Sequence, residues 1–172
     1  MSSLNRTALD VGGGGDCFFR AVSHQLFGNP NNHFHVRSLG VQYLEQCPEQ
    51  FIESNTESSW QYYLNNMSCQ GTWADAIIIQ AVANCLNLSI HIAESNETFV
   101  PVTVVQPVNM TRGCTNIYIG HIGEMHYVST VEERSSELND KQCNQISVGD
   151  KVVIDKNEKR RAYIKEYMKK RS

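Results

Sequence analysis

The sequence predicts an α+β fold: a small, mostly antiparallel central sheet packed between helices. Three observations carry that expectation. The first 70 residues hold segments with apolar side chains at helical spacing. A densely apolar run, 76–86, then leads straight into a strand-like stretch. Short β-rich segments separated by turn residues follow, with no internal repeat. At 172 residues, 41% hydrophobic and 19% charged, the chain is long enough to bury a core as one domain.

Taken in order, CFFRAVSHQLF (17–27) places apolar residues at 18, 19, 22, 26 and 27, with Asp16 as N-cap and Gly28 as stop. HFHVRSLGVQYLEQC (33–47) predicts a second helix ending before Pro48, and SSWQYYLNNM (58–67) a short third. Asp75 opens a core helix over Ala76 to Leu86, which Asn87 ends. LSIHIAE reads as a strand, and TFVPVTVVQPV as a second strand region. NIYIGH (116–121) and MHYVSTV (125–131) form a hairpin around Ile122-Gly123-Glu124. From Glu132 the composition turns polar, so residues 1–131 are expected to be the domain. Residues 132–172 are expected to be a linker and a basic helical extension.

Charge is uneven. Residues 155–172 carry eight Lys/Arg against three Asp/Glu, while residues 1–154 carry seven against fifteen, for a total of −3. At a net charge of −3 the whole chain is not an obvious nucleic-acid binder. The basic tail leaves nucleic-acid binding open as the weaker reading beside a solvated amphipathic helix. No apolar run approaches the roughly 18 residues of a membrane span, and the N-terminus lacks a signal-peptide apolar region. Six cysteines at irregular spacing, without CxxC pairs, point to reduced thiols in a cytosol.

The segment VGGGGDCFFRAVSHQLFG concentrates the chemistry. A helix N-terminus presents unpaired amides and partial positive charge, which favour a thiolate. Glycines before Cys17 let the backbone turn without side-chain obstruction; the plainer alternative is a flexible glycine loop before a helix with a buried cysteine. His126, in an apolar strand after a glycine-containing turn, is the candidate base, and taken alone it reads equally as a core histidine bonded to a backbone carbonyl. His33-x-His35, and His121 with His126, lack a CxxC or HExxH companion, so neither a metal nor a cofactor is expected. No Lys-Ser/Thr follows the glycines, so they are not a phosphate loop.

Four blocks in order resemble the OTU (ovarian tumour) cysteine proteases. They are the glycine loop with Cys17-Phe18-Phe19-Arg20-Ala21, the helix with His33 or His35 and Arg37, Trp73-Ala74-Asp75, and His126-Tyr127. The resemblance implies the OTU fold and deubiquitinase chemistry on ubiquitin or polyubiquitin, or on a ubiquitin-like protein. It implies Cys17 as nucleophile, His126 as general base and acid, and the amides of Gly14, Gly15 and Cys17 as oxyanion hole. Trp73 would wall the channel for the ubiquitin tail, with packing before a core helix the equal alternative, and Asp75 is read as an N-cap. The setting would be cytoplasmic, or the host cytosol for a bacterial effector. Two departures stand out. The family commonly writes Asp-Gly-Asn-Cys where this chain has Gly14-Gly15-Asp16-Cys17, and it often places Asn or Asp where Val128 stands. The residue that orients the histidine must then come from elsewhere. Asp10 is favoured, Asp16 is the runner-up, and Asn116, Ser129 and Thr130 are weaker. The alternative function is an OTU-fold module that holds ubiquitin without cutting it.

Overall fold

The computed structural model describes residues 6–94, 101–123 and 125–132, within a compact unit spanning Met1–Glu133. Among the described residues, nine elements with short 3₁₀ turns build it. They are β1 (Arg6–Leu9), α1 (Cys17–Phe27), α2 (His33–Gln46), α3 (Trp60–Ser68), α4 (Ala76–Leu86), β2 (Leu88–Glu94), β3 (Pro101–Val105), β4 (Thr115–Ile122) and β5 (His126–Glu132).

The helix boundaries follow local chemistry. Gly28 ends α1 in the left-handed region (φ 75°), its N–H donating to the His24 carbonyl. Ser59 caps α3 by accepting the Tyr62 N–H. Asp75 caps α4 by accepting the N–H groups of Ile77 and Ile78. Asn87 ends α4 in the left-handed region (φ 50°), and β2 starts at the next residue. One expected cap is corrected: Asp16 makes no side-chain cap on α1, because its carboxylate is drawn to Arg37 instead.

The strands form one five-stranded sheet in the order β1-β5-β4-β2-β3. Three of its four pairings are antiparallel, and β2–β4 is parallel, with Ile90 opposite Ile117 and Ile92 opposite Ile119. β1 was not expected. It pairs Leu9 with Ser129 and Arg6 with Glu132. That pairing lays residues 6–9 alongside β5, and a Cβ on Gly13 in the following glycine run would lie 3.8 Å from the His126 ring.

α1 packs on β4 and β5, α4 on β2 and β3, and α2 on α1 and α4. Phe18, Phe19, Val36, Leu44, Ile78, Ile90 and Ile119 are buried in the core between them. Each such side chain contributes about 1.5–3 kcal/mol of burial free energy. No described helix is long and apolar enough to cross a membrane. Of the expected linker and basic tail, 132–172, Glu132 is the last residue of β5 and the rest lies outside the described residues.

Candidate active site

Cys17 is the first residue of α1 and is only 1% exposed. Its sulfur accepts a hydrogen bond from the Tyr127 N–H at 3.4 Å. Phe18 packs edge-on against the Tyr127 ring, at 5.4 Å between centroids. The thiol-bearing helix end is thus held to the start of β5, where the neighbouring residue is His126.

The imidazole of His126 has its Nε2 3.1 Å from the Asp10 Oδ1. The same carboxylate oxygen accepts the Gly12 N–H at 3.0 Å. The Gly12 amide and then the imidazole hold the Asp10 carboxyl below its ordinary range. An ionised carboxylate only accepts, so Nε2 carries the proton of this contact. In the neutral imidazole Nδ1 is then the basic nitrogen. Asp10 comes from the segment after β1, and its side chain is 72% exposed.

The other carboxylate and polar candidates face elsewhere. Asp16 Oδ1 accepts from Arg37 Nη2 at 2.8 Å and from the Gly71 N–H at 3.2 Å. Burial pushes the Asp16 carboxyl up, but the Arg37 guanidinium and the Gly71 amide outweigh it and bring it below its ordinary value. Asn116 Oδ1 lies 3.1 Å from His91 Nε2. Ser129 Oγ meets His24 Nδ1 at 2.7 Å and Gln25 Nε2 at 2.8 Å. Thr130 donates to the Tyr118 carbonyl and accepts from Arg6. Val128 is buried in the core.

The glycine loop makes a 3₁₀ turn, Gly14–Asp16, running directly into α1. Gly14 sits at φ +71°, and a Cβ at Gly15 would run into the Gly71 carbonyl. The Cys17 N–H donates to the Gly14 carbonyl. Of the three amides expected to bind an oxyanion, that of Cys17 is therefore already engaged within the turn. The amides of Gly14 and Gly15 open the turn, where the N–H groups lack an intrahelical acceptor.

Sequence reasoning gave Arg37 no role beyond its place in a motif. It is fully buried. Its Nη2 reaches the carbonyls of Gly15 (3.1 Å) and Thr72 (2.7 Å) besides Asp16, and its Nη1 donates to the Met67 carbonyl (2.9 Å). The guanidinium also lies 4.0 Å over the Phe19 ring. An apolar-walled cleft of about 660 Å³ adjoins the site through Tyr127. It is lined by Trp73, Ile79, Ile92, Val105 and Met125 among others, with Trp73 49% exposed. Asp75, also on its rim, is spent on capping α4 and on accepting the Tyr63 hydroxyl at 2.9 Å.

A thiol at a helix N-terminus, an imidazole on the adjacent strand and a carboxylate behind the imidazole are the groups that thiol-dependent hydrolases use. The fold around them is α+β, with a mixed sheet. The chain belongs to the OTU-like cysteine protease family, whose model matches residues 12–127. A curated relative is the OVARIAN TUMOR DOMAIN-containing deubiquitinating enzyme 10 of Arabidopsis thaliana. It is 27% identical over 127 residues, covering 74% of this chain and 35% of that one. The chain spans between 35% and 59% of the length of the first curated relatives it matches. Among solved structures, the OTUD1 OTU domain superposes with a TM-score of 0.64 at 20% identity, covering 74% of this chain and 87% of that one. An ovarian tumour domain solved in complex with ubiquitin gives 0.59 at 18% identity, covering 73% and 69%. These structural likenesses establish the shared fold.

Proposed function

We propose that the chain is a deubiquitinase that hydrolyses the peptide or isopeptide bond after the C-terminal Gly-Gly of ubiquitin. The observation that carries this reading is the contact set at one point of the fold. Asp10 lies on His126 at 3.1 Å, and the neighbouring Tyr127 N–H lies on the Cys17 sulfur at 3.4 Å. The family supports it, as do a relative named as a deubiquitinating enzyme and a like-folded domain solved with ubiquitin.

In this mechanism His126 Nδ1 takes the Cys17 thiol proton, and the thiolate attacks the carbonyl carbon of the last glycine. The carbonyl oxygen becomes an oxyanion facing the amides of Gly14 and Gly15, with the Cys17 amide joining if its turn bond lengthens. The C–N bond breaks as His126 returns the proton to the lysine amine. Water then attacks the thioester, losing a proton to His126, and the ubiquitin carboxylate leaves as the thiol re-forms. Asp10 is a positioning residue that keeps the proton on Nε2 and the ring in register. Trp73 and the cleft beside Tyr127 receive the extended tail of the substrate. The five described cysteines are free thiols, which fits a reducing, cytosolic setting.

The experiment is incubation of the protein with lysine-linked diubiquitins of each linkage. Monoubiquitin is expected from at least one linkage and none from Cys17→Ala. Intact dimers of every linkage with a folded wild-type protein would overturn the reading. They would favour a module that holds ubiquitin without turnover, as the near-complete burial of Cys17 and its engaged amide also allow. That module would bind ubiquitin equally well with alanine at position 17.

A further inference from the structure

Resting on the reading of Cys17 as the acylated nucleophile, we propose that the Arg37–Asp16 pair is a positioning device that sets the glycine loop for oxyanion binding. A pair kept only for stability would be an expensive choice. Arg37 is fully buried, faces a single carboxylate and leaves its Nε without a partner. Burying a guanidinium costs much of what its ion pair returns, and apolar side chains of similar volume often serve stability as well. What an apolar residue cannot do is hold backbone carbonyls in place.

The guanidinium holds the carbonyls of Gly15, Met67 and Thr72, and its carboxylate partner adds the Gly71 N–H. Two rigid planes flank Gly15. The 14–15 peptide is fixed by the Cys17 N–H on the Gly14 carbonyl, and the 15–16 peptide by Arg37 on the Gly15 carbonyl. In a planar trans peptide the N–H points opposite to the C=O. Fixing the Gly14 carbonyl therefore fixes the direction of the Gly15 N–H, and fixing both planes removes the freedom that successive glycines would otherwise have. Gly71 closes the arrangement, because its carbonyl fills the space that a Cβ on Gly15 would take. Asp16 is the covalent neighbour of Cys17, so the clamp acts one residue from the nucleophile.

Acyl transfer and alkylation separate this role from others. Attack on a carbonyl builds an oxyanion, whereas alkylation of Cys17 by iodoacetamide displaces iodide and builds none. Folded Asp16→Ala is expected to lose about 10- to 100-fold in kcat on a ubiquitin-aminocoumarin amide, the cost of a displaced donor loop. KM and the Cys17 alkylation rate should stay within about threefold of wild type. Asp16→Asn keeps an oxygen acceptor for Arg37 and the Gly71 amide, and is expected to recover most of that loss. It also serves as the test if the alanine variant fails to fold. An unchanged kcat in a folded Asp16→Ala would overturn the proposal. So would a parallel fall of turnover and alkylation, which would put Asp16 on the thiol itself. If the wild type leaves ubiquitin substrates intact, the proposed function fails by itself. The acylation burst of Cys17 with p-nitrophenyl acetate then supplies the same comparison, and equal bursts in wild type and Asp16→Ala, or no burst at all, would overturn the clamp.

Discussion

Two aspartates bracket the glycine run and do opposite things. Asp10 stands in the open, its side chain 72% exposed, touching the imidazole of His126 and one loop amide. Asp16, six residues on, is 16% exposed and is locked to a buried guanidinium and to a turn 55 residues away in sequence. Both carboxyls sit below their ordinary range, for different reasons. Asp10 is held down by hydrogen bonds with almost no burial to oppose them, whereas Asp16 is held down despite burial. An exposed contact of this kind contributes little to folding. A carboxylate shared with a buried charge is bound up with the stability of the loop. The contrast separates a carboxylate that contacts the imidazole from one that holds the backbone carrying Cys17.

The largest effect should come from the Asp16 side. Arg37→Ala strands the Asp16 carboxylate and the carbonyls of Gly15, Met67 and Thr72. Urea unfolding is expected to show a loss of about 3–5 kcal/mol. Asp10→Ala, by contrast, should leave the urea midpoint unchanged within error. It should lower kcat by about 10²-fold, the scale at which a general base loses its orientation. A stability loss in Asp10→Ala comparable to that in Arg37→Ala would erase the distinction.

The acid limb of stability sharpens it further. The folded-state value of Asp16 lies below the ordinary 3.8, so its contribution is fully present above 3.8 and lost as pH falls through the lowered folded value. The excess stability of wild type over Asp16→Ala should hold from pH 7 down to about 4 and disappear below that. The same comparison with Asp10→Ala should fall in the same direction but far less, because the Asp10 side chain is 72% exposed and solvent screens its contacts. The smallest effect is expected at Trp73, next to the Thr72 carbonyl that Arg37 holds. Trp73→Ala should raise KM for a ubiquitin substrate about 3- to 10-fold with kcat unchanged, as for loss of binding alone. A fall in kcat without a change in KM would move Trp73 from the cleft wall to the chemistry.

The asymmetry between the aspartates also explains what could be read in advance. α1, α4 and β2 were legible to the residue, because their periodicity and flanking Gly28, Asp75 and Asn87 are local signals. β1 was not. RTAL is four residues long with only two apolar positions, and its partner, β5, lies more than 110 residues away. The parallel β2–β4 pairing was equally hidden, since nothing local encodes which strands become neighbours. Cys17 and His126 stood out by type and context. The reach of Asp10 to His126 follows β1 pairing with β5, so its place seven residues before Cys17 could nominate Asp10 but not rank it securely. Asp16 looked like an N-cap because a carboxylate before a helix usually is one. The overriding partner, Arg37, sits on another helix, and its burial is a property of the packed molecule.

The central claim is that Cys17 is the one thiol activated toward the C-terminus of ubiquitin. A ubiquitin whose last residue carries an electrophile tests it in a single step, with the modified cysteine located by peptide mass spectrometry. A single adduct is expected, on Cys17, formed more slowly by Asp10→Ala and absent from Cys17→Ala. A folded wild-type protein that forms no adduct, or forms it on another cysteine such as the exposed Cys69, would contradict the account.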